Sequence, residues 1–137
     1  MENPKPAPLL EDLGGEEGIQ RWMERFYQRI AAHDLLAPLF TADITVSRDK
    51  QVAFMTEFFG GPPRYSERYG KAFLRFKHRH VRIGRPERDA WMELLMATLM
   101  ETGADQPLAA EVERRVAVMA DAMINHQPDK KDAYYFN

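Results

Sequence analysis

Cysteine is wholly absent from this 137-residue chain, which excludes disulfides, thiolate metal sites and thiol catalysis and leaves His, carboxylates and Met as the metal ligands at hand. Long apolar runs are lacking too. Nowhere do about 18 apolar residues run together, and the first ten residues, interrupted by Pro4, Pro6 and Pro8, offer no apolar stretch of signal-peptide length. A cytoplasmic protein without a membrane partner is the expectation. Nor is there an overall basic excess: the formal charge is -2 and the pI near 6.1, so the whole-domain positive charge of a nucleic-acid binder is missing and nucleic acid is not expected as a partner.

What remains is the composition of a folded domain. Apolar residues make up 45% and charged residues 29%, as in ordinary globular chains, and the length suits one hydrophobic core. Residues 1–10 read as a flexible leader, 11–126 as one folded domain, and 127–137, with Gln127, Pro128 and the charged run Asp129 to Asp132, as a C-terminal tail. No repeat, low-complexity block or alternating strand pattern interrupts the domain. The expected class is all-α.

After Gly14-Gly15, the residues Ile19, Trp22, Met23, Phe26, Tyr27, Ile30 and Ala31 keep the three-and-four spacing of a helix face. An apolar corner at Leu35 to Phe40 follows, where Pro38 discourages a long helix and Phe40 is expected to point inward. Ser47, Gln51, Phe54, Met55 and Phe58 share the next stripe, which Gly60-Gly61-Pro62-Pro63 stops. A loop is expected from Arg64, with a short helix over Phe73 to His78. Pro86 suits the first turn of a helix carrying Trp91, Leu94, Leu95, Thr98 and Leu99 inward and closing near Gly103. Pro107 opens the last, with Leu108, Val112, Val116, Met119, Ala120 and Met123 in register. Four substantial helices and one short one are predicted.

Polar groups stand where a plain core would be apolar. Tyr27 and Gln51 lie within apolar stripes and Trp91 brings an N–H donor to a third. A buried donor without a partner costs about 1–3 kcal/mol, so each needs a protein partner or a ligand. Tyr27 and Trp91 taken singly also read as amphipathic core residues that reach a carbonyl, whereas a glutamine there is seldom chosen for packing. Of the four histidines, His33 and His126 fall at helix ends. His78 and His80 lie two apart in the basic, partly apolar stretch Phe73 to Val81, which has no nearby carboxylates for a zinc or two-metal site. Taken alone, that stretch reads first as a solvated basic loop; a single imidazole beside apolar side chains also suits haem.

Several strings occur in order: Phe26-Tyr27, Leu36 to Phe40, Phe59-Gly60-Gly61-Pro62-Pro63, Tyr65-Ser66-Glu67, His78 six residues before Gly84, and Glu87-Arg88-Asp89-Ala90-Trp91. Together they make residues 14–125 resemble the group II truncated haemoglobins. The resemblance implies a two-over-two helical sandwich around haem b. It implies His78 as the iron's proximal ligand, with Tyr27, Gln51 and Trp91 as polar residues on the ligand side and Ser47 at the gate. Phe40 and Phe54 would pack against the porphyrin, and Lys77, Lys50, Arg75 and Tyr65 match positions that meet the propionates, Lys77 best. Where the family follows its proximal histidine with an apolar pair, Arg79-His80 stands here, which brings His80 forward as a competing ligand.

The implied function is binding of oxygen or another diatomic ligand, with redox chemistry on nitric oxide or peroxide as an extension that needs an external electron donor, since no flavin motif is present. Whether the protein is an enzyme stays open, as does the choice between monomer and homodimer. A haem-free helical interaction module and a gas sensor are the readings from other classes.

Overall fold

The computed structural model describes residues 5–40 and 43–126. Met1 to Pro4 of the leader and the whole 127–137 tail lie outside the described residues. Six α-helices occur among those described: α1 (Gly15–Ala31), α2 (Ile44–Phe58), α3 (Arg64–Tyr69), α4 (Leu74–Lys77), α5 (Arg85–Glu101) and α6 (Gln106–Met123), with a 3-10 turn at Ala37–Leu39. The four long ones are those the apolar periodicity predicts. None of the described helices is long and apolar enough to cross a membrane.

Helix α1 is the hub. Its stripe of Ile19, Trp22, Met23, Phe26, Tyr27 and Ile30 is buried, one flank against α2 and the other against α5, while α5 also packs on α6. Two helix pairs are thus layered through α1 and α5. Their shared core includes Met55 and Phe59 from the α2 side, Leu95 and Leu99 from α5, and Val112 and Val116 from α6. Polar pairing follows the same seam. The Trp22 indole N–H donates to the Leu95 carbonyl at 3.1 Å, and the buried Thr98 hydroxyl donates back to the Leu94 carbonyl at 2.8 Å, so neither enters the core unpaired.

Local chemistry sets the helix ends. Asp43 caps α2 by accepting from the Thr45 amide, Asp105 caps α6 by accepting from the Leu108 amide, and Pro86 and Pro107 sit in first turns where no amide is needed. At α5 the Glu87 carboxylate reaches back to the Gly84 amide at 2.9 Å.

One expectation is corrected. The loop predicted from Arg64 is instead the helix α3, because the Glu57 carboxylate accepts from both the Ser66 amide (2.9 Å) and the Ser66 hydroxyl (2.6 Å) and so satisfies a first-turn donor. Six residues are too few to display a period, and the signal lies nine residues upstream. The short helix expected over Phe73 to His78 is present as α4.

Residues 7–10 run across the end of α2. The Leu9 and Leu10 amides both donate to the Phe59 carbonyl, Leu9 is buried, and Arg115 on α6 donates to the Ala7 carbonyl at 2.7 Å. Gly60, at φ +94°, lies so close to this segment that a Cβ there would stand 2.9 Å from the Pro8 Cα.

Gly18 on α1 is constrained by proximity rather than by backbone angle: a Cβ would lie 2.0 Å from the Leu13 carbonyl oxygen. Gly18→Ala is therefore expected to lower unfolding free energy by about 1–3 kcal/mol in urea denaturation, the usual cost of overpacking. On α6, the Arg114 and Arg115 guanidinium groups bonded to Glu111 hold its carboxyl down to about 2. A carboxyl depressed on folding stabilises the folded state above its unfolded pKa, and that contribution fades as pH falls toward the folded value. The melting temperature of Glu111→Gln should thus lie below the parent's at neutral pH, and the gap should close between about pH 4.5 and pH 2.

Candidate functional site

His78 closes α4, a helix of four residues entered through Phe73, whose φ of 41° is the one positive value at a non-glycine among the described residues. An L side chain pays about 1–2 kcal/mol for that region, so the turn into α4 is held by its surroundings. The imidazole is half-buried, while His80 two residues on is exposed. Its Nδ1 lies 2.7 Å from the Leu74 carbonyl oxygen. A carbonyl only accepts, so Nδ1 is the donor in this bond, and in the neutral ring Nε2 is the nitrogen left with a lone pair.

The backbone after His78 is clamped from α6. The Asn125 amide nitrogen donates to the His78 carbonyl (3.2 Å) and the Val81 carbonyl (2.7 Å), and its oxygen accepts from the Ile83 amide at 2.8 Å. The backbone N–H groups of Asn125 and His126 add two bonds to the Ile83 carbonyl. Neither Asn125 nor the Leu74 carbonyl stands out in the sequence. An asparagine just past a helix is an ordinary capping residue, and its partners are more than forty positions away.

On the other side of His78, Lys77 donates to the Tyr65 hydroxyl at 2.9 Å and to the Lys71 carbonyl at 3.2 Å. Tyr65 is buried, edge-on to Phe54 with ring centroids 5.6 Å apart and beside Tyr69, over whose ring the Lys50 ammonium sits at 5.5 Å. Lys50, Phe54, Tyr65 and Lys77 therefore form one connected edge. Arg75 is exposed and makes no ion pair among the described residues.

A second group gathers around α1. Tyr27 is buried edge-on between Phe26 (5.4 Å) and Phe40 (5.7 Å), and Phe26 in turn meets Trp91 edge-on at 5.4 Å. Burial alone pushes the Tyr27 hydroxyl well above its ordinary pKa, so it remains a neutral O–H donor. No hydrogen bond engages that hydroxyl among the described residues, although the ring is buried. Trp91 contrasts with Trp22: its ring is half-buried and, among the described residues, its N–H is not spent on a helix carbonyl. Ser47 and Gln51 are half-buried one turn apart on α2, on the stripe that continues to Phe54.

No group of three or more His, Asp or Glu positioned for a metal ion occurs among the described residues. A lone imidazole with a free Nε2 suits a metal whose other ligands arrive with a prosthetic group, and the aromatic walls with unspent O–H and N–H donors suit a flat macrocycle and a small ligand. The donor set therefore fits haem. Two open depressions of about 290 and 380 Å³ lie elsewhere, along α1 near Glu101, and none of the candidate residues lines them.

Residues 8–125 match the bacterial-like globin family. The chain is similar to the group 2 truncated haemoglobin YjbI of Bacillus subtilis, 33% identical over 111 residues that cover 81% of this chain and 84% of that protein. Its structure is similar to that of the group II truncated haemoglobin from Bacillus anthracis, with a TM-score of 0.85, 29% identity, and 93% and 99% of the two chains covered. A truncated oxygen-avid haemoglobin from Bacillus subtilis superposes with a TM-score of 0.81 at 33% identity, covering 88% and 100%.

Removing the Asn125 side chain deletes the bond to the Ile83 amide, worth about 0.5–1.5 kcal/mol. Asn125→Ala should speed hydrogen exchange at that amide by up to about tenfold in NMR while leaving α1 amides unchanged; equal protection in both proteins would mean that the clamp does not hold the segment.

Proposed function

Since the chain belongs to the bacterial-like globin family, we propose that it binds a diatomic gas, oxygen foremost, at haem b held by His78. Haem, when bound, supplies the iron at which such a ligand is held and, with electrons from outside, the capacity for redox chemistry on nitric oxide or peroxide. The chain's own residues supply the rest. The observation that carries the reading is the His78–Leu74 hydrogen bond, which fixes the tautomer and leaves Nε2 as the ligand atom on a half-buried ring. Among the described residues its exposed neighbour His80 has no comparable hold on the backbone, which favours His78 of the two.

Tyr27, Trp91 and Gln51 are the hydrogen-bond donors for a ligand that draws electron density from the iron, and Ser47 stands beside them at the entrance. A donor already in place, in surroundings that exclude water, stabilises a partly negative ligand without having to reorganise. Phe40 and Phe54 keep the walls apolar. Lys77 and Tyr65 are paired at an edge where their charge and hydroxyl suit a carboxylate of the macrocycle, with Lys50 close by and Arg75 free to swing in from solvent. The unit proposed to do this is residues 11–126, with residues 7–10 strapped across the end of α2.

Titration with hemin tests the ligand. The parent should gain a Soret band saturating at one equivalent, and His78→Ala should lose it or bind hemin far more weakly, whereas His80→Ala should not; a colourless parent would sink the proposal. For the donors, Tyr27→Phe should raise the oxygen dissociation rate by about ten- to a hundredfold in stopped-flow measurements, since a hydrogen bond to a charged acceptor is worth about 1.5–3 kcal/mol.

A further inference from the structure

The net charge of -2 conceals a lopsided distribution. Residues 64–88 hold nine of the 19 Lys and Arg of the chain but only two of its 21 Asp and Glu. Arg64, Arg85 and Arg88 are engaged by Glu16, Asp121 and Asp89. Arg68, Lys71, Arg75, Lys77, Arg79 and Arg82 are all exposed and pair with no carboxylate among the described residues. These six are carried on α3, on α4 and on the segments flanking α4, so they surround the backbone that presents His78. Phe76 stands among them with 63% of its surface exposed and the Arg79 guanidinium 3.7 Å from its ring centroid. An outward aromatic capped by arginine is the composition of a protein contact, where Arg and aromatics are enriched and lysine-rich solvated loops are not.

A partner for this face must be negatively charged and must cover an aromatic ring. Position narrows the choice further. The face lies beside the Lys77–Tyr65 pair, the edge from which the redox group of the proposed function is approached, and no flavin-binding turn occurs within the 137 residues. We propose that this face docks an acidic one-electron carrier protein, one whose redox group sits behind a rim of carboxylates. The proposal rests on the haem reading above. On docking, one electron leaves the carrier, oxidising it by one unit, and reduces ferric iron to ferrous; no atom and no proton is transferred. Electrostatic steering makes such an encounter fast and salt-sensitive.

The test uses the full chain with hemin bound, its R68E/K71E/R79E variant and the milder Arg79→Gln. A plant-type [2Fe–2S] ferredoxin serves as the acidic carrier and cytochrome c as a cationic protein of similar size. Calorimetric titration with oxidised ferredoxin reads docking without electron transfer, and stopped-flow mixing with reduced ferredoxin reads the transfer. The expected result is binding of ferredoxin but not of cytochrome c, with a second-order reduction rate that falls at least about tenfold between about 10 and 200 mM salt. The triple variant should be about tenfold slower still and Arg79→Gln intermediate. All three proteins should keep the same Soret band and the same rate with duroquinol, a neutral reductant. Equal binding of cytochrome c, a rate indifferent to salt, or an undiminished triple variant would overturn the proposal. So would binding to phosphatidylglycerol vesicles that the triple variant loses while ferredoxin is ignored, which would assign the face to a membrane. A chain that shows no Soret band yet still binds ferredoxin retains the docking face and fails the haem reading alone.

Discussion

A helix of four residues cannot hold itself together, because nucleating one turn fixes several dihedrals for a single hydrogen bond. Yet α4 carries His78, and everything asked of the site depends on that imidazole facing one way with one nitrogen free. The hydrogen bond from Nδ1 to the Leu74 carbonyl orients the ring only as well as Leu74 is itself held. Stability for α4 therefore comes from elsewhere: from Asn125 at the end of α6, which grips the chain just after the histidine, and from Lys77, which ties the helix to the buried Tyr65 of α3.

The two sides of the proposed site are built on different principles. Tyr27 belongs to the long helix α1, and its ring and that of Trp91 on α5 both lean on Phe26, which is fully buried. Both rings thus rest directly on the core. The His78 side is instead an assembly of short pieces, each tethered by polar contacts near the surface and one of them strained at Phe73. Under the proposed function, a group held between the two would meet a fixed wall and an adjustable one. Local opening free energies should differ accordingly, being lowest where few apolar contacts are buried.

How much of this was legible in the sequence follows from range. The four long helices were readable because their apolar stripes repeat within each element, and Pro86, Pro107 and the Gly-Gly-Pro-Pro stop are local punctuation. Tyr27 and Gln51 were visible as polar residues out of place on such stripes. Helix α3 was not, since the carboxylate that supports it belongs to Glu57 in the preceding helix. Asn125 was not, since its partners lie up to 47 positions away. The spread of charge was in plain view, but a net figure averages it out, and only the placement of α3 and α4 around His78 gives the local excess a direction.

The strap formed by residues 7–10 bears on how long the folded chain survives. The bond from Arg115 to Ala7 closes a loop of 108 positions, nearly the whole molecule, and contacts of such separation are entropically late to form. Interactions absent from the transition state leave the folding rate almost untouched and act on unfolding instead. This short N-terminal segment is thus a latch on the native state's lifetime, seated on the end of α2 through the Phe59 carbonyl and tied to α6 by Arg115.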